Sequence, residues 1–174
     1  DCIIFVKSEM SANRVMKSVT SWLEKKLFLK VSATKTKVVR PNNSSFLGFT
    51  FWNDGGIWKC KPLDDRKRKL KAKCSSVLCR KKAQSTPLGT TITKLNQIIR
   101  GWINYFKIGS MKLYLKEFGQ WVRHKLRVVI LKQWKRPRTI YKNLMTLNSL
   151  YKCNLGHEDI YNAANSRRGW YARP

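Results

Sequence analysis

Between residues 62 and 135 the apolar side chains recur every third or fourth position, and this period limits the fold more than any other feature of the chain. Leu70, Cys74, Val77 and Leu78 form one stripe, and Ile92, Leu95, Ile99, Trp102, Ile103 and Phe106 form a second. Met111, Leu115, Phe118, Val122, Leu126 and Val129 form a third. A period near 3.6 places each set on one side of an α-helix, so three helices have to bury their stripes against other elements. Pro62 and Asp64 open the first helix, which is expected to run to about Ala83. Ser85-Thr86-Pro87-Leu88-Gly89 then breaks it. The second is expected over roughly residues 91–107. Gly109-Ser110 ends it and caps the third, about 111–135, which Pro137 stops. Shorter helices follow near 138–146 and 157–165, and a basic, aromatic tail closes the chain.

The first sixty residues have a different texture. Cys2-Ile-Ile-Phe-Val6 is a continuous run of β-branched and aromatic residues, as in a strand buried on both faces. Residues 8–29 read as a helix, with Val15, Met16, Val19, Trp22, Leu23 and Leu27 on one stripe facing a sheet, and Ser8 or Ser11 as its cap. Strand signals follow at Lys37–Val39 and Phe46–Trp52. Asn53-Asp54-Gly55-Gly56 turns the chain into Ile57–Cys60, a hairpin. The expected fold class is therefore α+β: a small strand-and-helix part with a β-hairpin over residues 1–60, then an all-helical part of about three main helices over 61–174.

Charge divides at the same place. Residues 1–60 carry ten basic and four acidic side chains; residues 61–174 carry 27 and five, a net of +22 over 114 residues. Such a density repels itself unless a polyanion offsets it, which argues against a metal-storage protein and points to a polyanionic partner such as nucleic acid. No apolar run approaches the roughly 20 residues of a membrane span, and no signal peptide is visible. Five cysteines (Cys2, Cys60, Cys74, Cys79 and Cys153) form no C-x-x-C pair, and neither His124 nor His157 stands at ligand spacing. A disulfide framework and a zinc module are thus both disfavoured, and a reducing compartment fits, cytoplasmic or organellar rather than secreted.

Basic residues interleave with aromatics. Arg66, Lys67, Arg68, Lys69, Lys71 and Lys73 crowd the start of the helical part. Lys132, Lys135, Arg136 and Arg138 surround Trp134; Arg167, Arg168 and Arg173 surround Trp170 and Tyr171. Ammonium and guanidinium groups neutralise phosphates and release counterions, while aromatic faces stack on unpaired bases. Trp22, Trp102 and Phe106 lie within apolar stripes and are expected in the core. Catalytic constellations are scarce: no Ser/His/Asp or Cys/His set has a legible spacing, Gly55-Gly56 reads as a hairpin turn, and the first part offers only Asp1, Glu9, Glu24 and Asp54 as carboxylates. Two-metal phosphoryl transfer needs at least two that converge.

Several blocks, in order, resemble one family. Asp1-Cys-Ile-Ile-Phe-Val6 is similar to the second half of the Tyr-Ala-Asp-Asp turn and strand of reverse transcriptases. Lys35-Thr36-Lys37 and Phe46-Leu-Gly-Phe-Thr-Phe51 resemble the next two blocks of the palm. Ile99-Arg-Gly-Trp-Ile-Asn-Tyr-Phe106 resembles the signature of the group II intron maturase domain, and Gln133-Trp-Lys-Arg-Pro137 and Asn165-Ser-Arg-Arg-Gly-Trp170 resemble its later part. The chain is thus similar to the C-terminal part of a group II intron reverse transcriptase/maturase, and its opening on Asp1 reads as a piece of something longer.

The resemblance implies roles. Residues 1–60 would be the end of the palm and residues 61–174 the thumb, or X domain. Asp1 would be a catalytic carboxylate beside Mg2+, and Lys35 the palm lysine that assists the leaving group. Ser32-Ala33-Thr34 departs from the Asn-Pro-Glu usual before it. Phe46, Leu47, Gly48 and Phe49 would support the primer end. The nucleic-acid-binding candidates are Arg66, Lys69, Lys73, Lys81, Arg100, Asn104, Tyr105, Lys132, Trp134, Lys135, Arg136, Arg138, Arg167, Arg168 and Trp170. The partners implied are group II intron RNA and an RNA template/DNA primer duplex, with a homodimer left open and no membrane. Two of the family's three metal-binding carboxylates are missing, so the chain alone is expected to bind RNA and not to polymerise. A splicing-only maturase and a general basic nucleic-acid-binding module stay open as alternatives.

Overall fold

Ser8 starts the first helix as expected. In the computed structural model, which describes residues 2–166, its hydroxyl accepts from the Ser11 amide at 3.2 Å, and α1 runs over Glu9–Leu27. An N-cap of this kind satisfies one of the four amides that a helix start leaves without an intrahelical partner. The chain divides into two units, Asp1–Lys67 with Phe106–Ser110, and Arg68–Tyr105 with Met111–Pro174. The helices that hold residues 67 and 105 each run from one unit into the other.

The first unit contains a three-stranded antiparallel sheet in the order β1 (Ser45–Phe46), β2 (Phe49–Asp54), β3 (Ile57–Pro62). Two tight turns build it. Asp54 pairs with Ile57 across Gly55 and Gly56, whose φ values are +58° and +94°. Positive φ at both central residues is the twist that matches two antiparallel strands, and glycine adopts it without a Cβ clash. The Asn53 side-chain oxygen accepts from the Gly56 amide at 2.7 Å. Phe46 pairs with Phe49 across Leu47 and Gly48, at φ +49° and +86°. The single strand expected over Phe46–Trp52 is therefore folded back at Leu47-Gly48. Gly48 is buried, and its carbonyl accepts from the Leu63 amide at 2.9 Å.

Phe106–Ser110 completes this unit. The Phe49 and Phe106 rings meet at 5.0 Å, both nearly buried, and the Ser110 amide donates to the Cys60 carbonyl of β3 at 2.8 Å. Three expectations fail here. Cys2–Val6 is not a strand, nor is Lys37–Val39: neither run pairs with another strand among the described residues. A β-prone run without a neighbour to bond its amides remains an irregular extended segment. Phe5 nevertheless packs edge-on against Phe51 at 5.0 Å. Trp22, expected in the core, is 54% exposed, and α1 has no buried residue.

The second unit is helical. It holds most of α2 (Asp64–Val77), then α3 (Arg80–Ser85), most of α4 (Leu88–Phe106), α5 (Lys112–Trp134), α6 (Pro137–Tyr151) and α7 (His157–Asn165). Its core is Leu70, Cys74, Leu78, Ala83, Leu95, Phe118 and Val129. Val77, Ile98, Ile99, Trp102, Tyr114, Trp121, Val122 and Leu126 pack around them, so the three apolar stripes meet as their periods require. Trp102, Tyr114, Phe118 and Trp121 stand in a row, with successive centroids 5.6, 5.7 and 5.6 Å apart. The helix expected to reach Ala83 is interrupted: α2 stops at Val77, Leu78 turns inward, and Cys79 adopts ψ 129° before α3 begins. Burying both Leu78 and Ala83 against α5 requires this reset of the helical phase. Pro137 stops α5 and also serves as the first residue of α6, a position where its missing amide costs nothing. The cap expected from Ser110 is absent; Met111 holds the position and makes no side-chain bond.

Candidate nucleic-acid interface

Four basic candidates of the second unit, Lys132, Lys135, Arg136 and Arg138, stand where α5 ends and α6 begins. Gln133 Nε2 donates to the carbonyls of Ala83 (2.8 Å) and Thr86 (3.1 Å), which ties the last turn of α5 to the end of α3. This anchor sets Lys132, Trp134, Lys135 and Arg136 beside the helix that carries Lys81. Lys135, Arg136 and Arg138 are exposed, while Lys132 and Trp134 are half-buried. Trp134, placed among cations by the sequence, is thus shared between packing and solvent.

The link from α5 to α6 is strained. Lys135 has φ 56° and ψ −61°, and the Arg136 amide donates back to the Trp134 carbonyl at 2.7 Å. This closes a three-residue γ-turn of the positive-φ kind, rare for a residue with a Cβ. The two consecutive cations of this turn, Lys135 and Arg136, are both exposed. Glycine would be the residue of least strain there, and lysine stands instead.

Other candidates are placed separately. Lys69, Lys73, Lys81, Arg100, Asn104 and Tyr105 are exposed on α2, α3 and α4, with Tyr105 at 54%. Arg66 belongs to the first unit. Its side chain lies across the Leu47-Gly48 turn, so close that a Cβ on Gly48 would stand 3.0 Å from Arg66 Nε and 3.4 Å from Phe106. The structure thus joins one expected RNA-binding cation to the expected primer-support turn. In that turn Leu47 is exposed, Phe46 half-buried, and Gly48 and Phe49 buried. Lys35 is exposed at a turn whose amides at 35 and 36 both donate to the Ser32 carbonyl. Asp1, Arg167, Arg168 and Trp170 lie outside the described residues.

Two residues outside the candidate set also matter. Lys71 holds its ammonium 5.3 Å from the centre of the Trp121 ring, at the end of the aromatic row. Gln133 stands in the block Gln133-Trp-Lys-Arg-Pro137, but its role needs α3 to be broken where it is. Only a correct placement of that break would have disclosed it.

Two groups of the helical core have perturbed titration. Burial pushes the Cys74 thiol up, and burial, with the nearby Cys74 sulfur, pushes the Tyr114 phenol up to about 12. Both groups stay neutral at physiological pH and act as packing. Among the described residues no group of three or more His, Cys, Asp or Glu could hold a metal ion, so they do not by themselves fit a two-ion centre. No described helix is long and apolar enough to cross a membrane.

A basic, aromatic helical unit with few carboxylates is what an RNA-binding module requires, and comparison with known families shows what it is similar to. Residues 67–147 match the model of the group II intron maturase-specific domain. No curated protein is matched by the chain. The match runs from α2 into α6 and so takes in the α3–α5 anchor and the strained turn. A maturase-specific domain implies group II intron RNA as ligand. Residues 67–147 are thus similar to the group II intron maturase-specific domain, which supports the C-terminal part of a group II intron maturase.

Proposed function

We infer that the chain grips folded intron RNA with the outer faces of its helical unit, and that in the protein to which it belongs the same unit, as the thumb, meets the template–primer duplex of RNA-directed DNA synthesis. The observation that carries this reading is the end of α5. There Lys132, Lys135 and Arg136 are presented together, anchored by Gln133 at a strained turn. In residues 68–105 and 111–166, twenty Lys and Arg stand against three carboxylates, Glu117, Glu158 and Asp159. Phosphates are the natural counter-charge for such a surface.

The first unit supports the palm part of the reading through its hairpin. The Leu47-Gly48 turn, covered by Arg66, presents Leu47 outward, as a rest for a primer end would. The Mg2+ of the family would be held by Asp1 together with further carboxylates.

Filter binding against group II intron RNA, a random duplex and single strands, each at several salt concentrations, tests the reading. Intron RNA is expected to bind more tightly than the other two. With six to ten phosphates contacted, affinity should fall about 10³- to 10⁵-fold between 50 and 200 mM salt. Equal affinity for all three ligands would replace it with a general basic module. Primer extension by the isolated chain is expected to give no product, and metal-dependent synthesis would overturn the proposed division between palm and thumb.

A further inference from the structure

A cleft of about 270 Å³ opens where α2 stops and α3 restarts, against the flank of α5. It is lined by Leu78, Val128 and Val129, by Ser75 and Gln84, and by Lys125 and Lys132, with Cys79 at the break. All of these belong to the second unit. On α5 the four contributing positions, Lys125, Val128, Val129 and Lys132, are spaced i, i+3, i+4 and i+7, which is one face of a helix. Two apolar residues are thus bracketed by two ammonium groups whose attachment points lie about 10 Å apart along the axis. Leu78 and Val129 are nearly buried and make an apolar floor. No carboxylate pairs with Lys125 or Lys132 among the described residues.

The chemistry of this lining is uneven in a particular way. An apolar floor accepts a flat ring. The Ser75 hydroxyl and the Gln84 amide can bond the polar edge of that ring. The two lysines take a negative charge on either side. An unpaired nucleotide with its flanking phosphates has all three features. The volume lies just below the range of about 300–1,000 Å³ typical of drug-sized sites, which suits one ring system and excludes a base pair. Single-stranded and bulged RNA presents such splayed bases, and duplex RNA does not.

We propose that the α2–α3–α5 cleft receives one unpaired RNA nucleotide, its base against Leu78, Val128 and Val129 and its flanking phosphates on Lys125 and Lys132. This rests on the RNA-binding reading above and deepens it: the domain would recognise a bulged or looped position rather than charge alone.

The test uses the full 174-residue chain and two hairpins, one fully paired and one carrying a single bulged 2-aminopurine. Binding should raise the fluorescence of the bulged base as it leaves its stacked neighbours. Val128→Phe, which fills the cleft, should abolish that rise and weaken the bulged hairpin about tenfold, within the range for taking one base off its binding surface, while leaving the paired hairpin unchanged. Ser75→Tyr fills the same space from an exposed position and serves should Val128→Phe misfold by circular dichroism. If folded variants bind both hairpins as the parent does, or weaken both equally, the cleft assignment is wrong although the RNA-binding reading stands. If the parent binds neither hairpin nor intron RNA, both fall.

Discussion

Gln133 and Ala83, fifty residues apart, are joined by a 2.8 Å hydrogen bond from the side-chain amide of one to the backbone carbonyl of the other. The same nitrogen also reaches Thr86 at 3.1 Å. One side chain therefore terminates α3 and fixes the last turn of α5, the turn that carries the cations.

Gln133→Ala removes both bonds and leaves two part-buried carbonyls without that partner. At about 1 kcal/mol net per bond, the loss is expected to be about 1–2 kcal/mol, read as a lower urea midpoint at unchanged slope. Intron RNA affinity should fall as well, because Lys132 and Lys135 lose their common anchor.

Lys132→Ala with Lys135→Ala should lower the slope of log affinity against log salt by about 2, one for each phosphate that is no longer neutralised. Thermal stability should change little, since neither ammonium is paired with a carboxylate among the described residues. An unchanged slope would remove the end of α5 from the interface.

Lys135→Gly separates strain from charge. Glycine relaxes a φ of 56° with ψ −61°, so the variant is expected to melt slightly higher while binding RNA less tightly. A variant that melts lower would show that the turn is comfortable for lysine.

Gly48→Ala should destabilise the hairpin unit by about 1–3 kcal/mol. Its φ is +86°, and the new methyl would meet Arg66 Nε at 3.0 Å. Loss of protection of the Leu63 amide, which donates to the Gly48 carbonyl, in hydrogen exchange would report it locally.

Tyr114 gives a pH signature. Its folded-state value is raised from 10 to about 12, so above pH 10 the unfolded chain releases a proton that the folded chain retains. Stability from this group is complete below pH 10 and is lost as pH rises from 10 toward 12. Tyr114→Phe should flatten that part of the decline in melting temperature, and an unchanged decline would show that Tyr114 does not carry it.

The helical core was legible because its stripes are long. Leu95, Phe118 and Val129 could be assigned inward from spacing alone, and α7 falls on the expected residues 157–165. What escaped depends on partners distant in sequence. Cys2–Val6 has the composition of a strand, yet strand formation requires a neighbour that no local pattern supplies. The stop at Leu78 looks like continuous helix until Ala83 must also be buried. Trp22 stands on a proper apolar stripe, and its exposure depends on what covers that stripe. Among the interface candidates, charge and aromatic content single out the end of α5 in the sequence, but neither the γ-turn nor the Gln133 anchor has a sequence signature of its own.

Residues 106–110 carry a last consequence for β3. With the Ser110 amide already seated on the Cys60 carbonyl, and the Cys60 thiol 3.7 Å from the Ile108 carbonyl, the outer margin of that strand is blocked at its midpoint. A foreign strand seeking to extend the sheet would find the docking ladder interrupted there and flanked by Lys59 and Lys61. The sheet is thereby guarded against runaway stacking by a short stretch of chain that the maturase helices themselves supply.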